Sequence, residues 1–127
     1  DPATEKFSLS PEQAFTLADE TSPAFLPGAF QVAVSSLRSY PEIEKRFRTG
    51  RGFGWHEHYH GLFEGTERFF RPNYMANLAA NWLPALDGVV DKLEKGALVA
   101  DVGCGHGAST ILMAKTWPQS TFIGYDY

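Results

Sequence analysis

Residues 97–126, ALVADVGCGHGASTILMAKTWPQSTFIGYD, decide the fold of this chain. They open on a short apolar, β-branched run that reads as a buried parallel strand. Gly103, Gly105 and Gly107 follow in alternation. ASTILMAKTW, residues 108–117, has a helical pattern, and Pro118 stops it. STFIGYD, residues 120–126, reads as a second strand. Strand, helix, strand in this order predicts a right-handed βαβ unit and an α/β fold.

A glycine turn between a strand and a helix lies where open α/β sheets bind ligands. Missing side chains let a ligand approach the main chain, and exposed N–H groups can donate to its oxygens. The second strand ends in Asp126, 23 positions after Gly103. A βαβ unit brings that carboxylate to the same crevice, where it can accept from both hydroxyls of a ribose. The expected ligand is therefore a nucleoside. The phosphate loop GxxxxGK[ST] is absent, because Lys115-Thr116 lies inside the helix. Gly103, Gly105 and Ala108 satisfy the dinucleotide pattern, so NAD stays open. Two features favour S-adenosylmethionine: the GxGxG spacing, and Asp101 two residues before the first glycine. A carboxylate there repels a phosphate pair and suits a ligand carrying an ammonium and a sulfonium.

Upstream, residues 8–95 read as all-helical, with Gly and Pro at the joints. SPEQAFTLADE opens a helix that Ser10, Pro11 and Gln13 can cap. SPAFLPGAFQVAVSSL repeats the device with Ser22 and Pro23, and Phe30, Val34 and Leu37 recur at helical spacing. PEIEKRFR predicts a short separate helix ended by Gly50. TGRGFGW is an irregular loop. A helix over HEHYHGLFEGTERFF is expected to stop near Pro72, followed by helices in NYMANLAANWL and in PALDGVVDKLEKG.

The chain has 127 residues, enough for one domain or a piece of a larger one. Its net charge of −4 gives no general reason to expect nucleic-acid binding. No apolar run is long enough for a membrane span, and no signal peptide is visible at the start. Cys104 is the single cysteine, so no internal disulfide is possible, and a cytoplasmic location is expected.

VADVGCGHGASTILMAKTWPQSTFIGYD resembles motifs I and II of class I S-adenosylmethionine-dependent methyltransferases. LADETSPAF, FRTGRGFGW, GTERFFRPNY and WLPALDGVVDKLEKG resemble a bacterial subgroup that joins a winged-helix region and helical cap to that domain. Some of its members are transcriptional-regulator-like. The resemblance implies a helical cap or dimerisation region over residues 1–95 and the start of a Rossmann-like cofactor domain over 96–127. It implies that Asp101 and the backbone of Gly103, Cys104 and Gly105 hold the methionine part of S-adenosylmethionine. Asp126 would hold the ribose, and Tyr127 would lie near the adenine. Trp55 and His58, in the cap, would line the pocket of a small-molecule acceptor. EKFSLS, residues 5–10, resembles the last strand of the wing, so the chain reads as an internal fragment, inactive alone and expected to form a homodimer. DNA would be a partner only through the missing winged helix. A regulator that senses S-adenosylmethionine is the rival to an enzyme.

Three other signals have blander readings. HEHYH, residues 56–60, matches the zinc-protease pattern HExxH. Gly52, Gly54 and Gly61 leave it little more than one turn, so no metal is expected. Cys104, at a helix start, reads as the small residue between two glycines rather than a nucleophile. Phe69, Phe70, Tyr74 and Trp82 fall at helical spacing and are expected mostly in the core, with one or two on a substrate wall.

Overall fold

A computed structural model describes residues 2–127. The first helix, α1 (Pro11–Leu17), is closed by the expected capping box. The Ser10 hydroxyl accepts from the Gln13 N–H at 3.3 Å, and the Gln13 side chain accepts from the Ser10 N–H at 2.9 Å. Residues 6–10 form no strand, so the expected wing strand is not there.

The second helix, α2 (Pro27–Thr49), starts later and runs longer than the sequence suggests. Ser22 does not cap it; the buried Ser22 hydroxyl accepts from the Ala24 N–H at 3.1 Å and closes a turn. Pro41 does not divide it. An internal proline costs a helix about 3 kcal/mol through a lost hydrogen bond and ring crowding. Both sides of Pro41 are anchored: the Ser39 hydroxyl accepts from the Tyr59 N–H at 3.0 Å, and Arg46 meets Glu57 at 2.6 Å. The helix ends where Gly50 turns left-handed, at φ 67°.

The third helix, α3 (Gly61–Asn77), likewise passes through Pro72, which is buried. It continues into a widened π turn, Leu78–Trp82, closed by the Leu83 N–H on the Leu78 carbonyl at 3.0 Å. Helices α2 and α3 pack backbone to backbone through small residues. A Cβ on Gly28 would stand 2.5 Å from the Phe69 nitrogen, and one on Gly65 would stand 2.9 Å from the Val32 nitrogen. Ser35 and Ser39 fill the rest of the seam and are buried. The apolar series Phe30, Val34 and Leu37 therefore faces outward, with Leu37 73% exposed.

The chain then enters α4 (Val89–Lys95), β1 (Leu98–Val102), α5 (Ala108–Thr116) and β2 (Thr121–Tyr125). The strands pair in parallel, with Val99 opposite Phe122 and Asp101 opposite Gly124. This is the expected βαβ order in a mostly helical α/β chain. Gly96 ends α4, and the Ser120 hydroxyl then ties that helix to the sheet. It donates to the Leu93 carbonyl at 2.6 Å and accepts from the Ala97 N–H at 2.9 Å.

The core gathers Leu93, Met113 and Trp117, with Val90, Val99 and Phe122 packed on it. Burying each of the three contributes about 2 kcal/mol. Strand alternation puts Val99 and Asp101 on the covered face of β1. The other face is open, with Leu98 75% and Val102 81% exposed. The expectation of a strand buried on both faces therefore holds for one face only. Helix α3 packs on α5, which brings the helical region over the carboxyl ends of the strands. No helix among the described residues is long and apolar enough to cross a membrane.

Candidate functional site

The turn between β1 and α5 is built on positive φ. Gly103 and Gly105 take φ of 78° and 54°, a region that penalises any side chain. A Cβ on either would meet nothing within 4 Å. The turn therefore borders open space rather than packed protein.

Three N–H groups at the start of the turn are already engaged. Those of Gly103 and Cys104 donate to the Tyr125 carbonyl, at 2.8 and 3.2 Å. The Gly105 N–H donates to Asp126 Oδ2 at 2.6 Å. Asp126 Oδ1 accepts from the Tyr127 N–H at 2.8 Å. The Tyr127 N–H, then the Gly105 N–H, hold the Asp126 carboxyl below its ordinary pKa; slight desolvation opposes them, and the His106 charge adds a weaker pull down. Asp126 is thus an ionised acceptor at the rim, fixed by main-chain donors.

Asp101 sits at the end of β1, facing the first turn of α5. Its Oδ2 accepts from the hydroxyls of Ser109 and Thr110, each at 2.7 Å. That places a carboxylate at the helix N-terminus, where an anionic ligand would otherwise be received.

The Cys104 side chain packs against β2. Gly124 on β2 makes room for it: a Cβ there would come within 2.7 Å of the Cys104 sulfur. The cysteine is half-buried and packs the turn onto the second strand. The glycine inside FIGYD is the sequence signal for this close approach.

A cavity of about 780 Å³ opens beside the turn. Asp101, Gly103, Cys104, Gly105, Asp126 and Tyr127 all line it, so the six positions that the resemblance names are brought together. Trp55 lines it too. His58 is not among the lining residues: its ring packs between Phe53 and Trp55, at 4.4 and 5.5 Å, and supports Trp55 from behind. Tyr127 meets His56 edge-on at 5.9 Å.

The opposite wall comes from α3 and the π turn. Phe63, Glu67, Phe70, Tyr74 and Trp82 face the cavity. Of Phe69, Phe70, Tyr74 and Trp82, for which the sequence predicts mostly core positions with one or two on a substrate wall, three line the cavity: Phe70, Tyr74 and Trp82. Phe63 and Glu67 were missed, although their spacing from Phe70 and Tyr74 puts all four on one helix face.

The HExxH stretch does not sit on one helix. Trp55–Glu57 form a single 3₁₀ turn, and α3 begins only at Gly61. Glu57 is engaged by Arg46 at 2.6 Å and by the Gly54 N–H at 2.7 Å. His60 pairs with Glu64 at 3.4 Å, on the surface.

No protein-family model matches the chain. A stretch of 28 residues is 57% identical to trans-aconitate 2-methyltransferase of Afipia carboxidovorans, covering 22% of this chain and 11% of that protein. A stretch of 34 residues is 47% identical to trans-aconitate 2-methyltransferase of Azoarcus sp., covering 27% of this chain and 13% of that protein. The corresponding protein of Rhodopseudomonas palustris is 57% identical over 28 residues. The similarity is thus to methyltransferases, over a minority of this chain and no more than 13% of the relatives' length.

Proposed function

We propose that the cavity is the cofactor and acceptor site of an S-adenosylmethionine-dependent methyltransferase. Residues 96–127 serve as the start of its cofactor domain, and residues 1–95 as a helical cap. The observation that carries this reading is the polarity of the glycine turn. Its Gly103, Cys104 and Gly105 N–H groups are spent on Tyr125 and Asp126, and its flanking acids face the cavity. A turn of that kind offers acceptors and carboxylates. It favours a ligand with an ammonium and a sulfonium over a pyrophosphate, which needs free donors. The matches to methyltransferases support the same choice over NAD.

The residues present fit the cofactor. Asp101 would face its ammonium, with the bare main chain at Gly103–Gly105 alongside. Asp126 would accept from the ribose hydroxyls, and Tyr127 would lie against the adenine. Bound there, S-adenosylmethionine supplies a methyl group on a cationic sulfur. The chain's own task is to align an acceptor with that methyl and keep water out. The wall of α3 and Trp55 covers the side where a small-molecule acceptor would sit.

Calorimetric titration of the protein with S-adenosylmethionine tests the reading. Saturable binding is expected, weakened at least tenfold in Asp126→Ala and in Asp101→Asn. Equal affinity in both variants would overturn it.

A further inference from the structure

The acceptor half of the cavity has a composition of its own, and it narrows the substrate class. Five aromatic rings line the site in two groups. Phe70 and Tyr74 lie nearly parallel, 20° apart with centroids 6.1 Å apart. Trp82 meets Tyr74 edge-on at 6.1 Å. On the far side Trp55 meets Phe63 at 5.3 Å. These rings are not core: Trp55, Phe70 and Trp82 are 45%, 42% and 42% exposed, into a concavity. Half-bare aromatic faces lining a recess receive flat, apolar groups.

The permanent charges of the lining have one sign. Three carboxylates face the cavity, Glu67, Asp101 and Asp126; among the described residues its basic side chains are His56 and His106, and no Lys or Arg lines it. Asp101 and Asp126 belong to the cofactor side. Glu67 stands among the aromatics, and Arg71, at 2.9 Å, binds it. Arg71 also reaches Glu20 at 3.6 Å, so it is engaged by carboxylates and is not a lining residue. An acceptor bearing carboxylates would meet like charge with no Lys or Arg in the lining to receive it.

We propose that the acceptor is a planar aromatic compound without carboxylate or phosphate groups. The site would therefore discriminate against tricarboxylates such as trans-aconitate, despite the stretch shared with enzymes named for that compound. The inference rests on the methyltransferase reading for its chemistry, but it can be tested by binding alone.

Tryptophan fluorescence of the full chain is titrated with 1-naphthol, 1-naphthoate and trans-aconitate, each with and without S-adenosylhomocysteine. Saturable quenching by 1-naphthol is expected, with at least tenfold weaker binding of the two carboxylates. Tyr74→Leu should weaken 1-naphthol at least fivefold, with Phe70→Leu as a second variant if circular dichroism shows the first unfolded. Glu67→Gln should close the gap between 1-naphthol and 1-naphthoate at least threefold. Either carboxylate binding as tightly as 1-naphthol, or no saturable binding of 1-naphthol, overturns the proposal. S-adenosylhomocysteine is titrated separately. If it fails to bind while the naphthol preference stands, the cofactor reading is lost and the acceptor preference survives.

Discussion

The chain uses glycine in two opposite ways. In the α2–α3 pair, Gly28 and Gly65 are small because another backbone fills the space, with a hypothetical Cβ 2.5 and 2.9 Å from main-chain atoms. In the turn after β1, Gly103 and Gly105 are small with nothing within 4 Å. The first pair answers to packing. The second answers to a left-handed backbone and to an open cavity. Gly50 and Gly88 have the same empty surroundings and positive φ without lining the cavity, so it is the cavity beside Gly103 and Gly105 that points to a ligand.

Substitutions can break or sharpen this contrast. The largest expected effect is at the seam: Gly28→Ala drives a methyl into the Arg68–Phe69 backbone and should cost about 3 kcal/mol of stability by chemical denaturation. A tolerated alanine there would mean that the helices do not approach as described. Next is Gly124→Ala, where the new methyl meets the Cys104 sulfur at 2.7 Å. A loss of about 2 kcal/mol is expected, partly recovered in the double variant with Cys104→Gly. Absence of recovery would place the clash elsewhere. Gly103→Ala should cost only about 1 kcal/mol of stability, for its positive φ, because no atom blocks the methyl. Its S-adenosylmethionine affinity should nonetheless fall at least tenfold. A variant that loses stability and keeps affinity would erase the distinction between the two kinds of glycine.

The smallest effect is one of pH. The Tyr127 and Gly105 N–H groups lower the Asp126 pKa below its ordinary value of 3.8. A depressed carboxylate favours the folded turn above the unfolded pKa, and that contribution is lost as pH falls through the folded value. The Gly105 amide resonance should therefore titrate with a midpoint below 3.8. A midpoint at or above it would show that the Gly105–Asp126 bond does not form in solution.

Much of the βαβ segment was legible in the sequence because its signals are local. A β-branched run, glycines that only a special turn requires, and Pro118 as a stop mark residues 98–125 almost element by element. The acids at 101 and 126 follow from strand ends, and both reach the cavity. The helical region was harder because tertiary contacts decide it. Pro41 and Pro72 read as breaks, yet both helices run through them. Ser22-Pro23 reads as a cap, but the helix waits for Pro27. Periodicity placed Phe30, Val34 and Leu37 on one face without saying that the seam would be glycine and serine. The aromatic wall had the same ambiguity: spacing gives a helix face, and only the approach of α3 to α5 turns that face toward a cavity.

Competition at the cavity tests the central claim most directly. The protein is saturated with S-adenosylhomocysteine, and displacement is followed by calorimetry as NAD and then ATP are added. The account predicts that S-adenosylhomocysteine binds and that neither phosphate-bearing nucleotide displaces it at tenfold excess. Displacement by NAD or ATP, or tighter binding of either than of S-adenosylhomocysteine, would contradict a turn whose Gly103, Cys104 and Gly105 donors are spent and whose flanking acids face the ligand.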